Sequence, residues 1–167
     1  MVEIGLGAVA LAGAAILQSA VLSRMPLLNG MVDLIMLVMI SWCLQKSVRY
    51  AWGWGILAAL YGSLSSGLPM GAAPLAYLFI SGITIYAKSR FGEIRLLLIL
   101  ALAIIGTLVV HIISVASISL TGTFLPLDQA FNLVTLPSIL LNLLAAIPVY
   151  TVIRDVAGWL YPEELEI

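Results

Sequence analysis

The chain has 167 residues, 63% of them hydrophobic and 9% charged, with a mean hydropathy of +1.18. Soluble domains carry about 25% charged residues, so this composition excludes an ordinary soluble fold and points to a membrane protein. A net charge of −1 gives no electrostatic reason to expect nucleic acid. A single cysteine, Cys43, excludes an internal disulfide and a multi-cysteine metal site.

A transmembrane helix needs about 20 mostly apolar residues at about 1.5 Å each. Clusters of charge cut the chain into six segments near that length: 4–22, 26–45, 50–68, 70–87, 96–120 and 133–153. This predicts an all-α, polytopic integral membrane protein with six transmembrane helices, in a single domain covering 1–167.

The first segment carries Glu3 and no basic n-region, so it reads as a retained span rather than a cleaved signal peptide. Gly5, Ala8, Ala12, Ala15 and Ser19 give it a small-residue face. The second segment holds Asp33 near its expected outer end, and the nearest basic residue on that side is Arg24. Either the two anchor the helix end at the interface, where ion pairs contribute little, or they belong to a recognition surface. Trp42, Tyr50, Trp52 and Trp54 surround Lys46 and Arg49, which reads as an aromatic belt at the inner interface.

Small residues dominate the third segment. Ala51, Gly55, Ala59 and Ser63 recur every fourth residue, and Ala58, Gly62 and Ser66 make an adjoining stripe. Lipid provides no hydrophobic gain for bringing helices together, so close backbone contact through small faces does it instead. These faces either hold the monomer's own bundle or receive a partner's helix. The segment runs into LYGSLSSGLPMGAAPL, residues 60–75. There Gly62 and Gly67 free the backbone, Pro69 stops the third helix, and Gly71 lets the fourth pack close after a tight outer turn.

The fifth segment contains the lone histidine, His111, with Thr107 and Ser114 on the same face. An ionisable intramembrane residue is a functional candidate; the simpler reading is a neutral imidazole bonded to a neighbouring helix. A serine–histidine pairing with Ser63, Ser65 or Ser66 lacks a GxSxG motif and a companion acid, so a hydrolase is the least favoured class. One histidine and one cysteine offer too few ligands for haem or metal, and no cofactor is expected. Pro148 should bend the sixth segment. Beyond Arg154, DVAGWLYPEELEI is too short to span and is expected at the inner surface.

Lysine and arginine set the orientation. Lys46, Arg49, Lys88, Arg90, Arg95 and Arg154 fall in segments that alternate with the one containing Arg24. Both termini are therefore expected in the cytoplasm.

The run Ser63-Leu64-Ser65-Ser66-Gly67-Leu68-Pro69-Met70-Gly71 resembles the central signature of the rod-shape-determining MreD family, a glycine-rich third helix leading into D-x-x-S-G-x-P-L-G. Ser66, Gly67, Pro69 and Gly71 match, Met70 stands for the leucine, and Ser63 replaces the family's acid. Leu17-Gln18-Ser19 and the PDL-like Val32-Asp33-Leu34 agree in order, and the resemblance is best over roughly the first 90 residues. It implies a non-enzymatic scaffold of the bacterial cell-elongation machinery, multi-pass in the inner membrane. Such a protein would bind the bitopic MreC protein and, through it, a RodA-type glycosyltransferase and a class B penicillin-binding protein. Six small helices with an alanine-rich first helix are also similar to the substrate-capture subunit of energy-coupling-factor vitamin transporters. That alternative would place Ala8, Ala12 and Ala15 against the coupling subunit, and the vitamin among the outer loops and His111.

Overall fold

A computed structural model of the chain describes residues 2–20, 30–45, 48, 51–68, 71–92, 94–122 and 126–161. Among the described residues it is all-helical, with six helices in chain order: α1 (Val2–Ala20), α2 (Leu34–Cys43), α3 (Ala51–Ser65), α4 (Ala72–Phe91), α5 (Arg95–Leu120) and α6 (Leu127–Leu160). The number and order match the sequence reading, but the lengths do not.

The largest departure is α2. A helix was expected from Pro26, yet residues 31–33 are non-helical and the helix starts only at Leu34, after Asp33; 26–29 lie outside the described residues. Asp33 is the N-cap, and its carboxylate accepts from the Met36 backbone N–H at 3.0 Å. That acceptor satisfies one of the orphan donors of the first turn and so sets where the helix begins. Ten residues rise only about 15 Å, so α2 is too short to cross a membrane as a helix. Every residue from Ile35 to Cys43 is buried, and α2 touches each of the other five helices. A helix that is apolar all round belongs inside, and α2 is the central pillar of the bundle.

Around it, α1 buries Gly7, Leu11 and Ala14, spaced as one helical face. The expected small-residue stripe lies beside that face, with Gly5 and Ser19 exposed. On α3 the small residues do pack, and against the chain's own α4. A Cβ on Gly55 would meet Ser81, and one on Gly62 would fall on the ring of Tyr77. Ala58 and Ala59 are buried between them, Ala51 is half-buried, and Ser63 points away, exposed. Of the two roles open to this face, holding the monomer together is the one its main contacts serve.

The α3–α4 junction also differs in detail. α3 ends at Ser65, three residues before the expected limit, and α4 runs on to Phe91 rather than Ala87. Gly71 precedes α4 at φ +100°, a left-handed conformation that L side chains rarely adopt. Its role is thus conformational rather than close packing, since no atom lies near its missing side chain. Pro69, expected to stop α3, lies outside the described residues. At the other end, Lys88 and Arg90 sit in the last turn of α4, where the helix dipole favours cations. Lys88 Nζ donates to the Gln45 carbonyl at 2.6 Å and ties α4 to the exit of α2.

Two tryptophans expected in an interfacial belt are core residues. Trp42 and Trp54 are each 1% exposed, and their rings stack with centroids 4.5 Å apart at 26°. Offset stacking of two large rings buries more apolar area than either could at an interface. Trp52, 56% exposed, does have a belt residue's exposure.

α5 and α6 are long and apolar enough to cross a membrane. The first turns of α6 include a π-helical stretch, Phe131–Thr135, before regular helix resumes. Pro148 is exposed within α6, and the helix continues past Arg154 to Leu160. Residues 155–160 are therefore the last turns of α6 rather than a separate surface piece, and 162–167 lie outside the described residues.

Candidate functional site

Asp33 anchors the most connected polar cluster in the bundle. Tyr77 of α4 donates its hydroxyl to both carboxylate oxygens, at 3.0 and 2.9 Å. The Asp33 backbone N–H donates to Asn142 Oδ1 of α6 at 2.8 Å, and Asn142 Nδ2 donates to Thr107 Oγ1 of α5 at 2.8 Å. Thr107 in turn donates to the Ala103 carbonyl at 2.7 Å. From α1, Gln18 Oε1 accepts from the Ile35 N–H at 3.3 Å, and Ser138 Oγ accepts from the Met31 N–H at 3.1 Å. In the non-helical stretch 31–33, the backbone donors of Met31 and Asp33 are thus satisfied by side chains of α6, as buried backbone groups require.

This cluster forms one wall of a cavity of about 390 Å³. Gln18, Asp33, Tyr77, Thr107 and Asn142 line it on one side; Ser65, Ser66 and Gly67 at the end of α3 line it on another. His111 and Ser114, one and two turns above Thr107 on α5, complete it. Thr107 lies near the midpoint of α5, so the cavity sits level with the middle of that helix rather than at its end.

His111 Nδ1 lies 2.9 Å from Thr135 Oγ1, and the Thr135 hydroxyl also reaches the Ala130 carbonyl at 3.3 Å across the π-turn. With that hydroxyl proton directed to Ala130, Thr135 accepts from Nδ1–H and leaves Nε2 as an acceptor. This is the helix-to-helix bond of the simpler sequence reading. We expect His111→Gln to cost less than about 1 kcal/mol, because a side-chain amide can donate to the same hydroxyl. Thermal unfolding of the detergent-solubilised protein checks this, and a loss of folded protein would contradict it.

The structure unites some expected site residues and separates others. Asp33, Ser66, Gly67 and His111 meet at the cavity, whereas Ala51, Gly55, Ala59 and Gly62 do not line it and Ser63 faces away. Asp33 holds the start of α2, its carboxylate accepting from the Met36 N–H and the Tyr77 hydroxyl. Its expected partner Arg24 lies outside the described residues. Tyr77, Ser138 and Asn142 were not foreseen. Thr135, Ser138 and Asn142 recur at helical spacing along one face with Ala146, Tyr150, Ile153 and Ala157, all buried. Polar residues in register with an otherwise small and apolar buried stripe are the signal that identifies them.

No family model, no curated protein and no solved structure matches this chain.

Proposed function

We propose that the chain is a non-enzymatic scaffold of the bacterial cell-elongation machinery, similar to MreD. It is a multi-pass inner-membrane protein with both termini in the cytoplasm, and it binds an MreC-like bitopic protein. Through that protein it joins a RodA-type glycosyltransferase and a class B penicillin-binding protein. One observation carries the reading: the three separate stretches behind the family resemblance each contribute to the lining of one cavity. Gln18 comes from the first, Asp33 from the second, and Ser66 and Gly67 from the third. Nearby, Gly71 of that third stretch occupies a conformation suited to glycine. The small face of α3 is largely taken up by α4, so partner contact falls to the exposed apolar flank of α5 and α6, including Ile112, Leu120, Leu127 and Leu133.

The cavity itself favours a second reading, a capture subunit of an energy-coupling-factor transporter. A hollow with several polar side chains in its wall, near the middle of a helix long enough to cross the bilayer, is where transporters bind solutes. Purification from the native membrane in mild detergent separates the two. A co-purifying bitopic coiled-coil protein with an outer-face domain, with or without cell-wall synthases, supports the scaffold. An ATPase pair with a large coupling subunit, or a stoichiometric vitamin, overturns it in favour of the transporter.

A further inference from the structure

Away from the Asp33 cavity, the opposite end of the bundle carries an open cleft of about 1180 Å³ between the α4–α5 turn and α6. Lys88, Arg90, Arg95 and Arg154 all line it. These come from the last turn of α4, the first turn of α5 and the last third of α6, so the fold brings the distant Arg154 to the three cations that flank the α4–α5 turn. Among the described residues the carboxylate paired with one of them is Asp155, which bonds Arg154 at 3.1 Å on an exposed surface. Such a pair is worth about 0–1 kcal/mol and yields readily to a competing anion. Glu93 shares the α4–α5 turn by sequence and lies outside the described residues. Lys88 and Arg95 are partly positioned already, donating to the carbonyls of Gln45 and Gly92.

The cleft also has an apolar border. Phe91, Ile94 and Leu96 line it and are exposed, at the foot of α5, a helix apolar enough to cross a membrane. A site for a soluble anion has no use for such a rim, whereas a lipid brings glycerol and acyl chains to cover it. Guanidinium groups suit the phosphate oxygens of a headgroup geometrically, and basic pockets between membrane helices on the cytoplasmic side recognise anionic lipids in this way. We propose that this cleft binds the phosphate headgroup of an anionic phospholipid, with Arg90, Arg95 and Arg154 as its principal ligands.

The test is native mass spectrometry of the lipid-stripped full chain, titrated with phosphatidylglycerol and phosphatidylcholine of identical acyl chains. Phosphatidylglycerol should bind at least about tenfold more tightly. Each arginine near the surface contributes about fivefold (about 1 kcal/mol), so the triple variant R90Q/R95Q/R154Q should lose about hundredfold in affinity for the anionic lipid alone. Asp128→Asn, a charge change in the first turn of α6 and away from the cleft lining, should leave the preference intact. Equal binding of the two lipids, a triple variant that keeps the preference, or an equal loss in Asp128→Asn would overturn the assignment. So would full displacement by excess inorganic phosphate, which would make the site one for free phosphate. Should the triple variant not fold, Arg90→Gln and Arg154→Gln at exposed positions each test it, with about a fivefold loss expected.

Discussion

Gly62→Ala is expected to destabilise the bundle by about 3 kcal/mol, and Gly62→Leu to leave no folded protein. In an isolated helix the alanine change would stabilise by about 1 kcal/mol, so the sign of the effect is diagnostic. The added Cβ would fall on the ring of Tyr77. Overpacking alone costs about 1–3 kcal/mol. Moving the ring also strains the Tyr77–Asp33 hydrogen bonds, and a bond to a charged group is worth about 1.5–3 kcal/mol. Ala59→Leu, at another buried position on α3, should act in the same direction. Thermal unfolding followed by tryptophan fluorescence is a suitable measure, since the stacked Trp42 and Trp54 lie in the same core. A Gly62→Ala protein that melts normally but loses its partners would return the α3 face to a docking role. Combining Gly62→Ala with Tyr77→Ala should be clearly less damaging than the sum of the two, because the second change removes the obstacle.

Asp33→Ala is expected to cost about 2–4 kcal/mol. It removes the N-cap of the central helix, worth about 1 kcal/mol. It also leaves the buried Tyr77 hydroxyl without its acceptor, worth about 1–3 kcal/mol. Asp33→Asn retains an amide oxygen that can accept from Met36 and Tyr77, and should cost less than half as much. Asn142→Ala leaves the Asp33 N–H without its acceptor and should cost about 2 kcal/mol, non-additively with Asp33→Ala because the two share one network. Interhelical hydrogen bonds in membranes average nearer about 0.6 kcal/mol, which sets the floor for these values. An Asp33→Ala protein as stable as the parent, but altered in what it binds, would make the cluster a recognition site rather than the knot that joins α2 to its neighbours.

Much of the framework was legible before any coordinates. Runs of apolar residues between charge clusters located six helices in the correct order, because a helix needs only a local run of suitable residues. The recurrence of Gly55, Ala59 and Gly62 marked α3 as a close-packing helix, though not which neighbour it would meet. Helix ends were harder to read. The apolar run through α2 looks like a full span from Pro26 to Gln45, and the local mark of Leu34 as the start is Asp33, a residue type suited to N-capping. What decides it is the set of acceptors offered to Met31, Asp33 and Ile35 by Ser138, Asn142 and Gln18.

The same division separates Trp42 and Trp54 from Trp52. All three flank basic residues in sequence, and only packing reveals that two of them stack inside the bundle. The hydropathic pattern by itself determined the all-helical class and the helix count among the described residues, since both depend on residues near one another in the chain. The tertiary structure alone decided that α2 is a short buried pillar, that Asp33 caps it beneath Tyr77, and that Arg154 joins the cations of the α4–α5 turn in one cleft. Those outcomes depend on residues as far apart as Asp33 and Asn142, whose pairing exists only once the helices have packed.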